Sequence, residues 1–524
     1  LKIAHRLDQL GIPFIEGGWP GANPKDVQFF WQLKEEPLQQ AEVVAFCSTR
    51  RPHRLAAEES MLKDILAAGT RWVTLFGKSW DLHVIDGLKT TLEENLAMIR
   101  DTVAYLRSQE RQVIYDAEHW FDGYKQNPSY AIQTLEAAVE AGASWLVLCD
   151  TNGGTLPHEI SETVGTVRQW LDTLDLETVP QLGIHTHNDA EMAVANAIAA
   201  TREGATMVQG TMNGYGERCG NANLCSVIPN LQLKLGYDCL SSAQLATLAE
   251  SSRFVSEVVN LAPDDHAPYV GLSAFAHKGG IHVSAVQRNP TTYEHIRPEQ
   301  VGNLRRIVVS EQAGLSNVLA KARSYGIALD KADPASRAVL KRLKVLEQEG
   351  YQFEAAEASF ELLIRDALNQ RPRWFEIKGF RVHCDSANES VPRSSGELSH
   401  SLATVKVAVN GKDLLDAAEG NGPVSALDAA LRKALKQFYP EIAQFYLTDY
   451  KVRILDSTAG TDAKTRVLVE SSNGHRRWTT VGVSTNIIEA SYQAVVEGLE
   501  YGLMMLNLAE NATLVSTRAP QASF

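Results

Sequence analysis

The run Gln181-Leu182-Gly183-Ile184-His185-Thr186-His187-Asn188-Asp189 passes from apolar to polar within a few residues. In an extended strand alternate side chains share a face, so His185 and His187 point the same way. Two imidazoles converging at a strand end can hold one divalent cation, and they are also compatible with a plain hydrogen-bonded histidine pair. The chain around them has to decide.

Segments of the same kind recur on both sides. Short apolar runs rich in β-branched and aromatic residues predict strands over residues 13–17, 42–47, 72–76, 112–115, 145–149, 181–187 and 206–210. Longer stretches at residues 55–68, 92–106, 129–141, 158–174 and 190–203 read as helices between them. This alternation is the pattern of buried parallel strands joined by crossover helices. The first residues form an amphipathic helix with Leu1, Ala4, Leu7 and Leu10 on one side and Gly11 as its stop. Seven βα units entered in mid-helix predict an α/β fold, a TIM (β/α)8 barrel lacking its first strand in this chain. An open doubly wound sheet is the alternative. Against it, no Gly-rich dinucleotide fingerprint follows any strand, and polar residues cap nearly every strand end.

Composition narrows the function. A chain of 524 residues needs more than one core, and its 44% hydrophobic and 22% charged residues are ordinary for a globular protein. A formal net charge of −13 argues against general binding to nucleic acid or anionic membranes, which requires a basic surface. The expected partners are small molecules. Six scattered Cys without a CxxC pair fit a reducing compartment. No apolar run of about 18 residues predicts a membrane span, and no segment reads as a signal peptide, so a cytoplasmic protein is expected.

In a barrel the C-terminal strand ends form one ring, which is the active-site face. That ring carries Lys78, Ser79, Asp81 and His83, then Asp116, Glu118 and His119, then Asp150, Thr151 and Asn152. Glu16-Gly17-Gly18-Trp19-Pro20-Gly21-Ala22-Asn23 after the first strand reads either as a loop whose backbone approaches a ligand or as a turn. Asn213-Gly214-Tyr215-Gly216-Glu217-Arg218-Cys219-Gly220-Asn221 follows the last strand, and its Glu217 and Asn221 suit a metal or hydroxy-acid site. Any one of these residues alone could be a helix cap or a solvated charge. Their convergence on one face favours a functional site.

His185-Thr186-His187-Asn188-Asp189 followed by Asn213–Asn221 resembles the paired signatures of the isopropylmalate, homocitrate and citramalate synthase family, which condense acyl-CoA with oxo acids. The resemblance continues through Phe275-Ala276-His277-Lys278-Gly279-Gly280-Ile281-His282 and Thr292-Tyr293-Glu294-His295 to the C-terminal region. Within the family, Glu16–Gly21, Gly77–His83 and Gly280–Ala285 look most like the citramalate-forming subgroup.

The resemblance implies that His185, His187 and Asn221 bind a divalent metal, Mn, Mg or Zn. It places a further Asp ligand and a carbonyl-polarising Arg in a segment upstream of Leu1. It gives Glu118 a catalytic role beside Thr151 in the oxo-acid pocket, Glu217 a place in substrate binding, and His282 and Tyr293 a part in proton transfer. The expected reaction joins acetyl-CoA to pyruvate. The alternatives are an isopropylmalate or homocitrate synthase, a barrel lyase, or a non-catalytic effector-binding subunit.

Beyond the barrel at residues 1–241, residues 242–384 read as helical linker and lid subdomains. The Ser-, Asn- and Glu-rich stretch at residues 385–400 reads as an exposed loop. An internal repeat of about 75 residues follows it. Its halves run from a strand at 403–409 to a helix at 426–438, and from strands at 452–455, 465–469 and 478–483 to a helix at 488–506. The resemblance makes residues 385–524 a regulatory or dimerisation domain, with isoleucine as the effector and a homodimer or higher homo-oligomer as the assembly.

Overall fold

The computed structural model describes residues 1–308, 314–384 and 401–518. They form two compact units, Leu1–Phe275 with Glu294–Arg305, and Ala276–Tyr293 with the residues from Arg306 onward.

All seven predicted strands are present in the first unit: β1 (Phe14–Glu16), β2 (Glu42–Ser48), β3 (Trp72–Lys78), β4 (Gln112–Glu118), β5 (Trp145–Asp150), β6 (Gln181–Thr186) and β7 (Met207–Gln209). They lie in chain order in one parallel sheet. One face, with Ala45, Val73, Leu75, Val113, Tyr115, Leu146 and Ile184, packs against helices that contribute Ile99, Leu135, Val164 and Ala197. The other face closes on itself, with Val44, Ile114, Val147 and Cys149 surrounded by Phe14, Trp72, Trp145 and Met207. Burial on both faces is why these strands read as continuous apolar runs. The crossover helices fall where the periodicity puts them, Leu92–Ser108, Pro128–Glu140, Pro157–Asp172 and Ala193–Arg202. The amino-terminal helix Lys2–Leu10 stops at Gly11, whose φ of 94° lies in the left-handed region that glycine adopts without strain.

Around the sheet the sequence reading needs two corrections. The helical region after residue 241 opens with two helices, Ser242–Leu245 and Leu248–Val258, rather than one continuous segment. Residues 242–384, expected to be helical linker and lid subdomains, contain β8 (Ala276–His277) and β9 (Arg306–Ile307), a short parallel pair in the second unit, and end in a further strand at residues 376–384.

Helices Leu315–Ser324, Pro334–Glu349 and Glu357–Ala367 then gather around Val318, Val339, Leu343 and Phe360. The repeat follows as two halves of like topology. β10 (Glu376–Cys384), β11 (Ser401–Val409) and β12 (Lys412–Gly420) form an antiparallel sheet followed by helix Pro423–Leu435. β13 (Tyr446–Ile454), β14 (Thr465–Ser472) and β15 (Arg477–Ser484) form a second, followed by helix Ile487–Arg518. In the first half β10 and β12 flank the single strand expected at residues 403–409, whereas all three strands of the second half were expected. The loop expected at residues 385–400 lies outside the described residues.

Candidate active site

The C-terminal ends of β3 to β7 carry the polar side chains. Parallel register sets Lys78 beside Glu118 and His185 beside Gln209. Lys78 Nζ donates to Glu118 Oε2. Next to them, the His119 backbone N–H donates to Thr151 Oγ1 over 2.8 Å. His119 has a φ of 55° and packs its ring edge-on to His83, centroids 4.2 Å apart.

His185 and His187 converge as the strand period requires, their Nε2 atoms 3.3 Å apart. Asn221 joins them through a bridge between its backbone and that of His187, and its Nδ2 lies 3.0 Å from His185 Nε2. His185 Nδ1 faces Gln209 Oε1 at 2.7 Å. His187 Nδ1 is buried without a hydrogen-bond partner. Burial lowers the pKa of both rings, and that of His187 falls to about 4, with the charges of His185 and Arg218 adding to the effect. Both imidazoles are therefore neutral near pH 7, the form that ligates metals.

The donors fit a divalent cation. Two nitrogens each about 2.1 Å from one cation, at angles from tetrahedral to octahedral, lie about 3.0–3.4 Å apart. The observed 3.3 Å falls inside that range. Among the described residues no third His, Cys, Asp or Glu joins the pair, so the set consists of two imidazoles and the Asn221 amide.

The loop that delivers Asn221 depends on glycine at two places. A Cβ on Gly220, where φ is 91°, would lie 1.9 Å from the Gly214 carbonyl oxygen, and one on Gly216 would lie 2.0 Å from Asn221 Oδ1. Arg218 ties the loop to the neighbouring strand ends. Its Nε and Nη2 donate to Asp189 at 2.7 and 2.9 Å, and Nη2 also donates to the Thr151 carbonyl at 2.6 Å. Glu217, on the same loop, has a side chain 80% exposed and 3.9 Å from Arg218.

His282 and Tyr293 lie in the second unit. Helix Gly280–Arg288 carries His282, and its ring stacks on that of Tyr293 with centroids 4.2 Å apart. The structure thus brings His185, His187 and Asn221 together, sets Glu118 and Thr151 on the same strand ends, and pairs His282 with Tyr293 separately. Gln209 is a side-chain contact of His185 that the sequence reading missed. Its signal was a polar residue closing an otherwise apolar strand. The Gly17–Asn23 loop, open to two readings, is a turn and cap: Asn23 Oδ1 accepts from the Lys25 N–H and Asp26 Oδ2 from the Trp19 N–H.

Residues 1–255 match the HMGL-like family, residues 269–350 the homocitrate synthase post-HMGL domain-like family, and residues 354–503 the LeuA allosteric (dimerisation) domain. An (R)-citramalate synthase from Synechocystis sp. is 71% identical over 97% of the chain and 92% of its own length. One from Geobacter sulfurreducens is 53% identical over 96% of the chain and 93% of its own length. A 2-isopropylmalate synthase from Gloeothece citriformis, matched over 95% of the chain and 90% of its own length, is 28% identical. The expected branch is therefore borne out, and the chain belongs to the (R)-citramalate synthase family.

Proposed function

We propose that this protein condenses acetyl-CoA with pyruvate and hydrolyses the resulting thioester, releasing citramalate and CoA. The methyl group of acetyl-CoA gives up a proton, its carbon bonds to the pyruvate ketone carbon, and water then cleaves the thioester to a carboxylate and a thiol.

The observation that carries this reading is the convergence of His185, His187 and Asn221 beside the Lys78–Glu118 pair at one end of a parallel sheet. His185 and His187 would hold a divalent cation, Mn, Mg or Zn, with the Asn221 amide, whose nitrogen faces His185 in this structure, turning to contribute its oxygen. Bound there, the cation supplies Lewis acidity toward the ketone oxygen of a chelated 2-oxo acid. Glu118 and the Thr151 hydroxyl face the same substrate, and the hydrogen bond from Lys78 orients Glu118. Glu217 contacts substrate from the glycine loop. His282 and Tyr293 move the acetyl proton, their stacked rings restricting each other's orientation.

The match to the LeuA allosteric (dimerisation) domain supports a homodimer or higher homo-oligomer with an allosteric effector, which we take to be isoleucine. An effector there regulates only by binding two states of the enzyme with different affinity. Among the described residues no helix is long and apolar enough to cross a membrane. With six free cysteines and no disulfide among those residues, we place the enzyme in the cytoplasm.

Turnover on pyruvate against 2-oxoisovalerate, followed as free CoA with acetyl-CoA and Mn²⁺ or Mg²⁺, tests the assignment. Preference for pyruvate by more than about tenfold in kcat/KM, ~1.4 kcal/mol of discrimination, is the expected result. Preference for 2-oxoisovalerate assigns the protein to isopropylmalate synthesis instead.

A further inference from the structure

Gln209 closes β7, a three-residue strand at the far edge of the sheet, yet both ends of its amide are engaged. Its Oε1 lies 2.7 Å from His185 Nδ1, and its Nε2 donates to Asp116 Oδ1 over 2.9 Å. Asp116 is only 4% exposed and sits one alternation below Glu118 on β4. A carboxamide has one accepting and one donating end. With the donating end spent on Asp116, the oxygen faces His185, and the imidazole nitrogen opposite it must carry the hydrogen. A neutral imidazole has only one N–H, so Nε2 is left with its lone pair. The other side of the ring agrees: the donor Asn221 Nδ2 approaches that Nε2 at 3.0 Å.

We propose that Gln209, fixed by Asp116, is a positioning residue that holds His185 in the Nδ1–H tautomer and so keeps its Nε2 lone pair aimed at the cation site. The inference rests on the reading of His185 as a metal ligand. The relay also restrains the ring: His185 cannot rotate about its Cβ–Cγ bond without giving up Gln209, and Gln209 cannot turn its amide without breaking the bond from its Nε2 to Asp116 Oδ1. Partners of this kind around a metal-binding histidine typically contribute about 10–100-fold to affinity.

The test combines two readouts on metal-free protein labelled with ¹⁵N-histidine, comparing the parent with Gln209→Leu and the double exchange D116N/Q209E. The exchange swaps carboxylate and amide along the relay, so residue 209 still accepts from His185 while residue 116 donates. Ring ¹⁵N shifts report the His185 tautomer, and titration calorimetry with Mn²⁺ reports affinity. The parent is expected to show the Nδ1–H tautomer. Gln209→Leu should mix the tautomers and weaken Mn²⁺ about 10–100-fold, and the double exchange should recover most of that loss. A parent with hydrogen on Nε2, or a Gln209→Leu protein that folds and keeps both the tautomer and the affinity, overturns the proposal. A double exchange that folds but behaves like the leucine variant also overturns it. A parent with the Nδ1–H tautomer that binds no Mn²⁺ overturns the ligand assignment and leaves the relay standing. The tautomer therefore separates the two failures.

Discussion

Gln209 and Asp116 are joined by a 2.9 Å hydrogen bond although their strands, β7 and β4, are third neighbours in the sheet. In a flat sheet, strands about 4.8 Å apart would put third neighbours some 14 Å from one another, beyond the combined reach of these two side chains. The contact forms because the sheet curls. Curling turns the inward faces of β4, β6 and β7 toward a common axis and gathers residues from separate strand ends into one site.

Removing either histidine should abolish tight metal binding while leaving the fold intact, because neither ring belongs to the apolar core. His187→Ala is expected to lose Mn²⁺ in metal analysis after dialysis. Its kcat should fall by about 10²–10³-fold, ~3–4 kcal/mol of transition-state stabilisation. Chelator-treated parent protein should regain activity on addition of Mn²⁺, and the variant should not.

Glu118→Gln separates charge from shape. The amide still fits between Lys78 and the substrate face but carries no charge to pair with the ammonium. The pair is roughly a quarter exposed, so the cost in stability should stay within about 1 kcal/mol, whereas kcat should fall by about 10²-fold or more. Steady-state kinetics alongside thermal unfolding checks both parts.

Gly220→Ala should damage the site without touching a ligand. A methyl 1.9 Å from the Gly214 oxygen, at a residue with φ of 91°, cannot be accommodated unless the loop moves. The strain is of order 1–3 kcal/mol, and relieving it displaces Asn221. Faster amide exchange across residues 213–221 and weaker Mn²⁺ binding are the expected readouts. Unchanged exchange would mean that the loop absorbs the methyl elsewhere.

Asp150 makes the stability of the first unit depend on pH. Burial raises its pKa to about 6, opposed by hydrogen bonds from Thr155 and helped by the charge of Asp122. The folded state then holds the proton more tightly than the unfolded one, so stability falls as pH rises from about 4 to about 6 and levels off above that. The shift corresponds to about 3 kcal/mol at most. Urea unfolding followed by tryptophan fluorescence at several pH values should show this slope in the parent and a flatter one in Asp150→Asn. Parallel curves would assign the slope to another group.

The strands of the barrel sheet were legible because the central ones are buried on both faces, so their apolar character is continuous and their ends are marked by polar residues. His185 and His187 were legible for a related reason, since strand period alone puts them on one face. The two edge strands β10 and β12 were not. Lys412-Asp413-Leu414-Leu415-Asp416-Ala417-Ala418-Glu419-Gly420 is made largely of helix-favouring residues, and only pairing with β11 makes it a strand. Local propensity amounts to a few tenths of a kcal/mol per residue, and a full ladder of cross-strand bonds outweighs it. His282 and Tyr293 entered through family likeness, since nothing in their spacing announces a pair, and only the folded chain stacks their rings. The sequence by itself thus determined which strands are buried and which side chains stand at their ends. Tertiary structure alone decided that Gln209 reaches Asp116 and His185, because that contact depends on sheet curvature, the summed twist and coil of seven strands that no single segment encodes.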